Sequence, residues 1–220
     1  MEQERELRQF LHAAAQTLGL TLTDTQIEHF WTHLTQLLRW NKTTNLTSIN
    51  DPYEIIGKHF VDSLAALVAV EFPFEGHVID VGSGGGFPGI PLKIARQDLR
   101  LTLIEPSHKK SSFLRAVVGI LQLRDVCIFS GTIAEYAAQD QHSLGDLIVV
   151  RALRFDEMAP FASSLLKRMG HVVLYGTDRS DRATLIGTSN PFKVQSEYKF
   201  SLPRNYGTRV LTVLSQAVST

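Results

Sequence analysis

The sequence has little that would mark an exported or membrane protein. Its only cysteine is Cys127, so no internal disulfide can form, and this favours a reducing compartment. The first ten residues, MEQERELRQF, are charged and do not resemble an apolar leader. No apolar run approaches the roughly 18 residues of a membrane span. We therefore expect a cytoplasmic protein.

An excess of charge of either sign is also missing. The 220 residues include 22 Lys and Arg and 22 Asp and Glu, and 44% of them are hydrophobic. This composition is typical of a globular protein with one sizeable core. A balanced charge argues against broad affinity for nucleic acid, which depends on excess positive charge, but it allows a local basic patch.

The first 72 residues predict a helical unit. Apolar side chains recur at helical spacing over residues 7–18, and Gly19 is placed to end that helix. Residues 23–26, Thr-Asp-Thr-Gln, form a capping-box pattern that begins a second helix. The polar stretch NKTTNLTSIN, residues 41–50, predicts an interruption before Asp51-Pro52 begins a third helix.

From residue 73 onward, short apolar runs alternate with helical segments. The predicted strands are HVIDV (77–81), LTLIE (101–105), VCIFS (126–130), DLIVV (146–150) and HVVLY (171–175). Helices are expected near 88–96, 107–121, 132–139 and 155–168. These runs are apolar at both odd and even positions, which indicates parallel strands covered on both faces. We therefore expect a doubly wound α/β sheet. Two further runs, FKVQSEYKF and TRVLTVL, predict a closing antiparallel pair.

The stretch HVIDVGSGGGFPGIP, residues 77–91, places five glycines directly after the first predicted strand. Ile90-Pro91 stands where a phosphate-binding P-loop needs Lys and Ser or Thr, which excludes that class. A dinucleotide fingerprint is formally present at 84–89, but it is a weak signal in so glycine-rich a stretch. Asp80 favours S-adenosylmethionine, because a carboxylate can order its cationic methionyl end, directly or through water, and would repel a pyrophosphate. The glycines let the backbone approach the ligand closely.

Ligands of open α/β sheets lie beyond the carboxyl ends of the strands. Glu105 ends the second predicted strand, where it can accept hydrogen bonds from ribose hydroxyls or stand as a solvated carboxylate. Glu135 follows the third strand, near the expected adenine, but Thr132 to Glu135 is also a capping box, and both interpretations stay open. Arg151 ends an otherwise apolar strand and needs an anionic partner, such as the donor's carboxylate or an RNA phosphate.

Three stretches resemble the ribosomal RNA small subunit methyltransferase G family, also called the glucose-inhibited division protein B family. They are WNKTTNLTSINDPYEIIGKHFVDSLA (40–65), IDVGSGGGFPGIPLKIARQDLRLTLIEPSHKKSSFLR (79–115) and VVRAL (149–153). The resemblance implies an α/β class I S-adenosylmethionine-dependent methyltransferase domain, Rossmann-like, over residues 73–220, with residues 1–72 as a helical extension packed on it. It also implies transfer of a methyl group from S-adenosylmethionine to N7 of a guanine in 16S rRNA, with S-adenosylhomocysteine as product.

The same resemblance implies partners and site residues. The expected partner is 16S rRNA or the small ribosomal subunit, with no membrane, and we expect a monomer. From the residues themselves we expect no metal, because His12, His29 and His33 lie on predicted helix faces with no companion Cys or second carboxylate. Donor binding is expected at Asp80, Gly82, Ser83, Gly84, Gly86, Phe87, Glu105, Ala134, Glu135 and Arg151. Catalytic roles are expected for Arg151, Asn45 and His59, and RNA binding for Lys42, Lys58, Lys109, Lys110, Arg115 and Arg154. The chain departs from the family pattern at Lys58, Glu105, Val150 and Tyr175.

The chemistry agrees with the residues present. Guanine N7 carries a lone pair and no hydrogen, so in-line placement in a water-poor pocket suffices and no general base is required. Methylation of pyrimidine C5 requires a cysteine nucleophile, but Cys127 lies within a predicted core strand. Two other functions stay open: a methyltransferase for a small metabolite, and a donor-binding module that no longer catalyses.

Overall fold

The structure is a computed structural model, which describes residues 2–140, 142–151, 155–177 and 191–217. The strands are β1 His77–Val81, β2 Arg100–Ile104, β3 Val126–Phe129, β4 Gly145–Arg151, β5 Leu166–Thr177, β6 Phe192–Ser201 and β7 Thr208–Gln216. The helices are α1 Glu2–Gln16, α2 Asp24–Thr44, α3 Pro52–Ile55, α4 Asp62–Leu64, α5 Ala66–Ala69, α6 Gly89–Ala95, α7 His108–Ile120, α8 Ile133–Ala137 and α9 Phe155–Leu165. A π-helical segment, Ile56–Val61, joins α3 to α4.

The strands form one seven-stranded sheet in the order β3-β2-β1-β4-β5-β7-β6. The first five strands are parallel, whereas β7 is antiparallel to both β5 and β6. This confirms the predicted sheet and its closing antiparallel pair, with β7 inserted between β5 and β6. Since the chain proceeds outward from β1 to β3 and then from β4 in the other direction, the crevice for a ligand lies above β1 and β4.

Alternate side chains of each central strand enter two different cores. On β1, Val78 joins a cluster with α6, α7 and the N-terminal helices, whereas Ile79 and Val81 join a cluster with α8 and α9. This alternation is what a parallel sheet covered on both faces requires. The first cluster contains side chains from both sides of residue 72, so the N-terminal helices share a core with the sheet. The division into domains at residue 72 stays a prediction.

The predicted helix starts at the N-terminal end of the chain are confirmed. Thr23 makes both hydrogen bonds of the capping box that begins α2, and the side chain of Asp51 accepts from the backbone N–H of Glu54 at the start of α3. Gly19 follows α1 with φ of 75°. The predicted interruption at residue 41 was wrong, because α2 continues to Thr44 before the left-handed cap at Asn45.

The third helix is not continuous as predicted, because its middle turn is π-helical. Ile56, Phe60 and Leu64 are buried as the apolar stripe requires. A β-carbon added at Gly57 would lie 2.6 Å from the ring of Tyr206, so the turn before β7 packs directly against this backbone. π-helical turns are rare and occur frequently at functional sites.

Two other predictions were wrong in detail. Cys127 lies on β3 but is exposed, since β3 is the edge strand of the sheet. The helix predicted over 155–168 ends at Leu165, because the chain passes directly into β5 at Leu166. No helix among the described residues is long and apolar enough to cross a lipid bilayer.

Candidate functional site

A pocket of about 690 Å³ opens at the carboxyl ends of the central strands. Its floor is the glycine loop after β1, and one wall comes from Glu105 after β2 and from the first turn of α8. Segment 46–59, Arg151 at the end of β4, and α9 complete the opposite wall. The volume is within the range of pockets that hold small molecules and cofactors.

The glycine loop has a backbone that other residues rarely adopt. Gly82, Gly84 and Gly86 have φ of 74°, 56° and 86°, a left-handed conformation that only glycine adopts at no cost. The N–H of Gly82 donates to the carbonyl of Ile104 at 2.8 Å, which ties the loop to β2. Around Gly84, a β-carbon would meet only the Gly82 carbonyl oxygen, at 3.8 Å. The loop therefore presents bare backbone to the pocket.

Glu105 is fixed by backbone groups on two sides. Its Oε2 accepts from the N–H of Gly84 at 2.8 Å, and its Oε1 accepts from the N–H of Ser107 at 2.9 Å. The residue is 5% exposed, yet its carboxylate lines the pocket. Since each carboxylate oxygen has further lone-pair capacity, Glu105 can still accept hydrogen bonds from a ligand's hydroxyls.

Asp80 lies beneath the glycine loop and does not line the pocket. Its Oδ2 accepts from the backbone N–H of Gly89 at 2.9 Å, at the start of α6. A β-carbon at Gly89 would lie 2.7 Å from this oxygen, so the close approach requires glycine. Complete burial raises the pKa of Asp80 to about 7, against the opposing effects of the Gly89 hydrogen bond and of Arg151.

Arg151 lies at the end of β4, and its nearest anionic partner is within the chain. Its Nη1 is 3.5 Å from Oδ2 of Asp62 and 3.4 Å from the carbonyl oxygen of Lys58. The guanidinium carbon is 5.1 Å from the ring centroid of Phe87, a cation–π distance. Arg151 also lines the pocket, so the site contains a cation held by loose contacts.

Two histidines flank Phe87, of which His33 is buried and His59 is half-buried. The Nε2 of His59 is 2.9 Å from Oγ1 of Thr47, and its ring stacks on Phe87 at 4.7 Å between centroids. His33 donates through Nε2 to the carbonyl oxygen of Gly85 at 2.9 Å. Burial lowers the pKa of His59 to about 3 and that of His33 to about 4. Both rings are therefore neutral at pH 7 and add no positive charge beside the pocket.

The structure brings most of the predicted donor residues together. Those that line the pocket are Gly82, Ser83, Gly84, Phe87, Glu105, Ala134 and Arg151, together with His59 and Lys110. Gly86 does not line the pocket, and neither do Asp80, Glu135 and Asn45. Glu135 completes the capping box of α8 with Thr132, which is the second of its two predicted roles. Asn45 is the exposed left-handed cap of α2.

The predicted RNA-binding residues differ in how free their charges are. Lys58 pairs with Glu54 at 2.8 Å, and its Nζ is 5.0 Å from the ring centroid of Tyr206. Arg115 is exposed and donates to Oγ of Ser130 at 2.7 Å. Lys42 and Lys109 are exposed. Arg154 lies outside the described residues.

Several residues of the site escaped the sequence analysis. The sequence predicted no role at the site for Thr47, Asp62, Met158 and Phe161, nor for His33. Helical periodicity gave no signal for Asp62, because it lies on the side of the predicted helix away from the stripe of Ile56, Phe60 and Leu64. In the part of the chain that the structure describes, no three His, Cys, Asp or Glu side chains form a cluster that could hold a metal ion.

Relatives of known name match most of the chain. A family model described as rRNA small subunit methyltransferase G matches residues 7–202. The protein of that name from Lachnoclostridium phytofermentans is 31% identical over 210 residues, which cover 93% of this chain and 87% of the relative. That from Syntrophus aciditrophicus is 38% identical over 169 residues, covering 76% and 69%. For the relative from Desulforamulus reducens, 38% identical, the match spans 60% of this chain and 55% of the relative.

Solved structures confirm the predicted fold. Precorrin-6y C5,15-methyltransferase from Geobacter metallireducens is similar with a TM-score of 0.54 and 14% identity, over 70% of this chain and 87% of that one. A ribosomal protein L11 methylase from Lactobacillus delbrueckii gives a TM-score of 0.56 with 16% identity, over 73% and 79%. Both share the α/β architecture of class I methyltransferases, and at these identities the likeness concerns the fold alone.

Proposed function

Since the chain belongs to the rRNA small subunit methyltransferase G family, we propose that it transfers the methyl group of S-adenosylmethionine to N7 of a guanine in 16S rRNA. Membership makes the protein a methyltransferase of small-subunit rRNA. The observation that carries the rest is the pocket, in which a bare glycine loop and a fixed carboxylate face the same space. This combination suits a nucleoside donor whose sugar binds an acid and whose other end is cationic.

The donor fits the pocket in one orientation. Glu105 accepts hydrogen bonds from the ribose hydroxyls, and the backbone of Ala134 and Ile133 at the start of α8 lies beside the adenine. The glycine loop admits the methionyl chain. Asp80 lies below it, and with a pKa of about 7 it is about half ionised at pH 7, so that a bound cation favours its ionised form. A pyrophosphate does not fit this environment, because Glu105 and the ionised form of Asp80 would repel it.

Arg151 binds the carboxylate at the methionyl end of the donor. It lines the pocket at the end of β4, whereas Glu105 lines it after β2, and among the described residues its hydrogen bonds are made by Nη1. The remaining N–H groups can bind a carboxylate in the two-point geometry that a guanidinium favours. This accounts for an arginine at the end of a strand that is otherwise apolar.

The reaction requires that guanine N7 be held in line with the methyl group in a water-poor pocket, and it requires no proton transfer. S-adenosylmethionine supplies an electrophilic methyl group on a sulfonium sulfur when it is bound. Leu46, Met158 and Phe161 add apolar surface to the lining of the pocket, which disfavours water there and suits a flat purine. His59, neutral at pH 7 and hydrogen-bonded to Thr47, adds a polar wall with no charge to repel a cation.

The RNA approaches through the loops that surround the pocket. Exposed Lys42, Lys109 and Arg115, with Lys110 at the rim, contact phosphates and set the position of the RNA. An unstacked guanine then enters the pocket. Because the chain has no net charge, the substrate we propose is a ribosomal particle, where shape supplements the attraction to phosphate. We also propose that the protein acts as a monomer.

The test is methyl transfer from tritiated S-adenosylmethionine to small ribosomal subunits that lack the modification, with naked 16S rRNA in parallel and at several salt concentrations. We expect label in the subunits, and N7-methylguanine as the labelled nucleoside after nuclease digestion and mass spectrometry. A Glu105→Ala variant provides the background. Label at another atom, label only in small metabolites, or tight donor binding without transfer would each contradict the proposal.

A further inference from the structure

Asp62 is a buried acid with no part in the reaction described so far. It is the first residue of α4, directly after the π-helical segment, and its side chain is 4% exposed. Its Oδ2 is 3.5 Å from Nη1 of Arg151, and its Oδ1 is 3.6 Å from Nε of Arg209 on β7. Burial raises the pKa of Asp62, and the two guanidinium groups oppose that rise.

The position of Asp62 depends on the local backbone. In the π-helical segment, His59 and Asp62 are joined by a hydrogen bond from the Asp62 N–H to the His59 carbonyl. The His59 ring stacks on one side of Phe87, and Asp62 contacts the guanidinium that lies over the same ring. The buried hydroxyl of Tyr175 donates to the carbonyl oxygen of Ser63 at 2.8 Å, which fixes α4 against β5.

The charge of Arg151 is a problem for a pocket that binds a cation. The sulfonium of the donor is positive before the transfer, and the N7-methylated guanine is positive after it. An unpaired guanidinium at this wall would repel both, and it could also turn away from the pocket toward any other acceptor. A carboxylate behind the guanidinium balances its charge and so reduces the repulsion. If that carboxylate is fixed, it also keeps the guanidinium from turning away from the pocket.

We propose that Asp62 is a positioning residue for the donor site: it holds the Arg151 guanidinium against Phe87 and balances its charge, so that other N–H groups of Arg151 face the donor's carboxylate. The inference rests on the proposed function only for the identity of the donor. Arg209 contacts the other oxygen of Asp62 and keeps the carboxylate between the two cations.

The test compares two nucleosides that differ at the end Arg151 binds. S-adenosylhomocysteine has the amino-acid carboxylate, and 5′-methylthioadenosine lacks it. We expect the wild-type protein to bind the first more tightly by about 10-fold or more. In Asp62→Asn, isothermal calorimetry should show this preference fall to about 3-fold or less, with methylthioadenosine affinity nearly unchanged.

Three further variants separate positioning from general damage. Asp98→Asn is the matched control. Asp98 forms an ion pair with Arg96 (2.7 Å) and does not line the pocket, so this variant should keep the full preference. Asp62→Glu retains the charge and should keep part of the preference, which also covers the case in which Asp62→Asn folds poorly. The double variant Asp62→Asn/Arg151→Gln should show the same preference as Arg151→Gln alone. Asp62 acts on the donor only through Arg151, so its loss has no further effect once Arg151 is replaced.

Three results would overturn the proposal: equal losses for both nucleosides in Asp62→Asn, additive losses in the double variant, or a wild-type protein without the preference. Nucleoside binding is measured without RNA. The binding result can therefore be interpreted even if the protein does not methylate guanine N7.

Discussion

The two ends of the pocket are built in different ways. At the Glu105 end, which comprises Gly84, Glu105 and Ser107, the carboxylate accepts two backbone N–H groups at 2.8 and 2.9 Å. At the Arg151 end, which comprises Asp62, Phe87 and Arg151, the polar contacts are between side chains or to a carbonyl, at 3.4 to 3.6 Å. One end is fixed by the backbone, and the other is assembled from side chains that are distant in the sequence.

The difference indicates what each end must do. A ribose is the same in every donor molecule, so a rigid acceptor that is already oriented binds it at least cost. The Arg151 end must accommodate a donor, a product and an incoming base, and its loose contacts leave hydrogen-bonding capacity for them. Buried charges in such an arrangement reduce stability, which is a common property of functional sites.

The largest expected effect is at Asp80, which lies outside both ends as defined and interacts with the charges of Arg151 and Glu105. Because burial raises the pKa of Asp80 to about 7, its contribution to stability is full below the unfolded value near 3.8 and is lost as the pH rises through 7. Asp80→Asn should therefore increase the free energy of unfolding at pH 8 by up to about 4 kcal/mol. Urea unfolding at several pH values measures this, and the same variant should bind S-adenosylmethionine more weakly.

The pH dependence is the control for the Asp80 prediction. The gain should shrink steadily as the pH falls from 7 toward 4, because Asp80 is then protonated in the folded protein. An equal gain at every pH would mean that packing, and not ionisation, separates Asp80→Asn from the wild type.

At the Glu105 end we expect the main effect to be a loss of ligand affinity. Glu105→Ala should lower the affinity for S-adenosylhomocysteine by about 100-fold, or roughly 3 kcal/mol, because it removes a charged acceptor from two hydroxyls and leaves the Gly84 N–H unpaired. Calorimetry checks this, with Glu28→Ala as control, since Glu28 forms only an exposed ion pair with Arg8. An affinity for Glu105→Ala within 3-fold of the wild type would refute the role of Glu105.

The rim around both ends should respond to salt. Lys109→Ala and Arg115→Ala should each weaken subunit binding by about 2- to 5-fold and reduce the slope of log affinity against log salt by about 1. Lys167→Ala is the matched control, because Lys167 pairs with Asp146 near the amino ends of β4 and β5, whereas the pocket lies at the carboxyl ends of the strands. Unchanged salt slopes would place the RNA elsewhere on the surface.

The smallest effect is expected at Cys127, which belongs to neither end. It is exposed on the edge strand β3 and does not line the pocket. Alkylation with iodoacetamide should change neither donor affinity nor methyl transfer by more than about 2-fold. Loss of transfer in proportion to labelling would return the cysteine to consideration as a catalytic group.

Features that depend on neighbouring residues were predicted from the sequence. The capping box at Thr23 and the cap at Asp51 are contacts between residues three apart, and the two-sided apolar runs predicted the parallel strands because burial on both faces needs them. The proximity of Glu105 to the glycine loop followed from one rule, that the ends of parallel strands share an edge. The roles of individual residues toward donor and RNA stay predictions.

Features that depend on residues far apart in the chain could not be predicted. The exposure of Cys127 follows from strand order, which a single sequence does not state. The apolar residues in and around the π-helical turn are spaced in the sequence as in a regular helix, so the pattern does not reveal it. The packing of Tyr206 against Gly57 is set by the distant turn before β7. The partner of Arg151 lies 89 residues away in Asp62, so the sequence showed the need for an anion but not its source.

The insertion of β7 between β5 and β6 has a consequence for synthesis. Arg209, on the last strand described, contacts Asp62, which lies 147 positions earlier in the sequence (209 − 62). While the protein emerges from the ribosome, the glycine loop and the first parallel strands are available well before this arginine is. The nascent chain therefore carries an incomplete pocket, and the site reaches its final charge balance only after translation has passed β7.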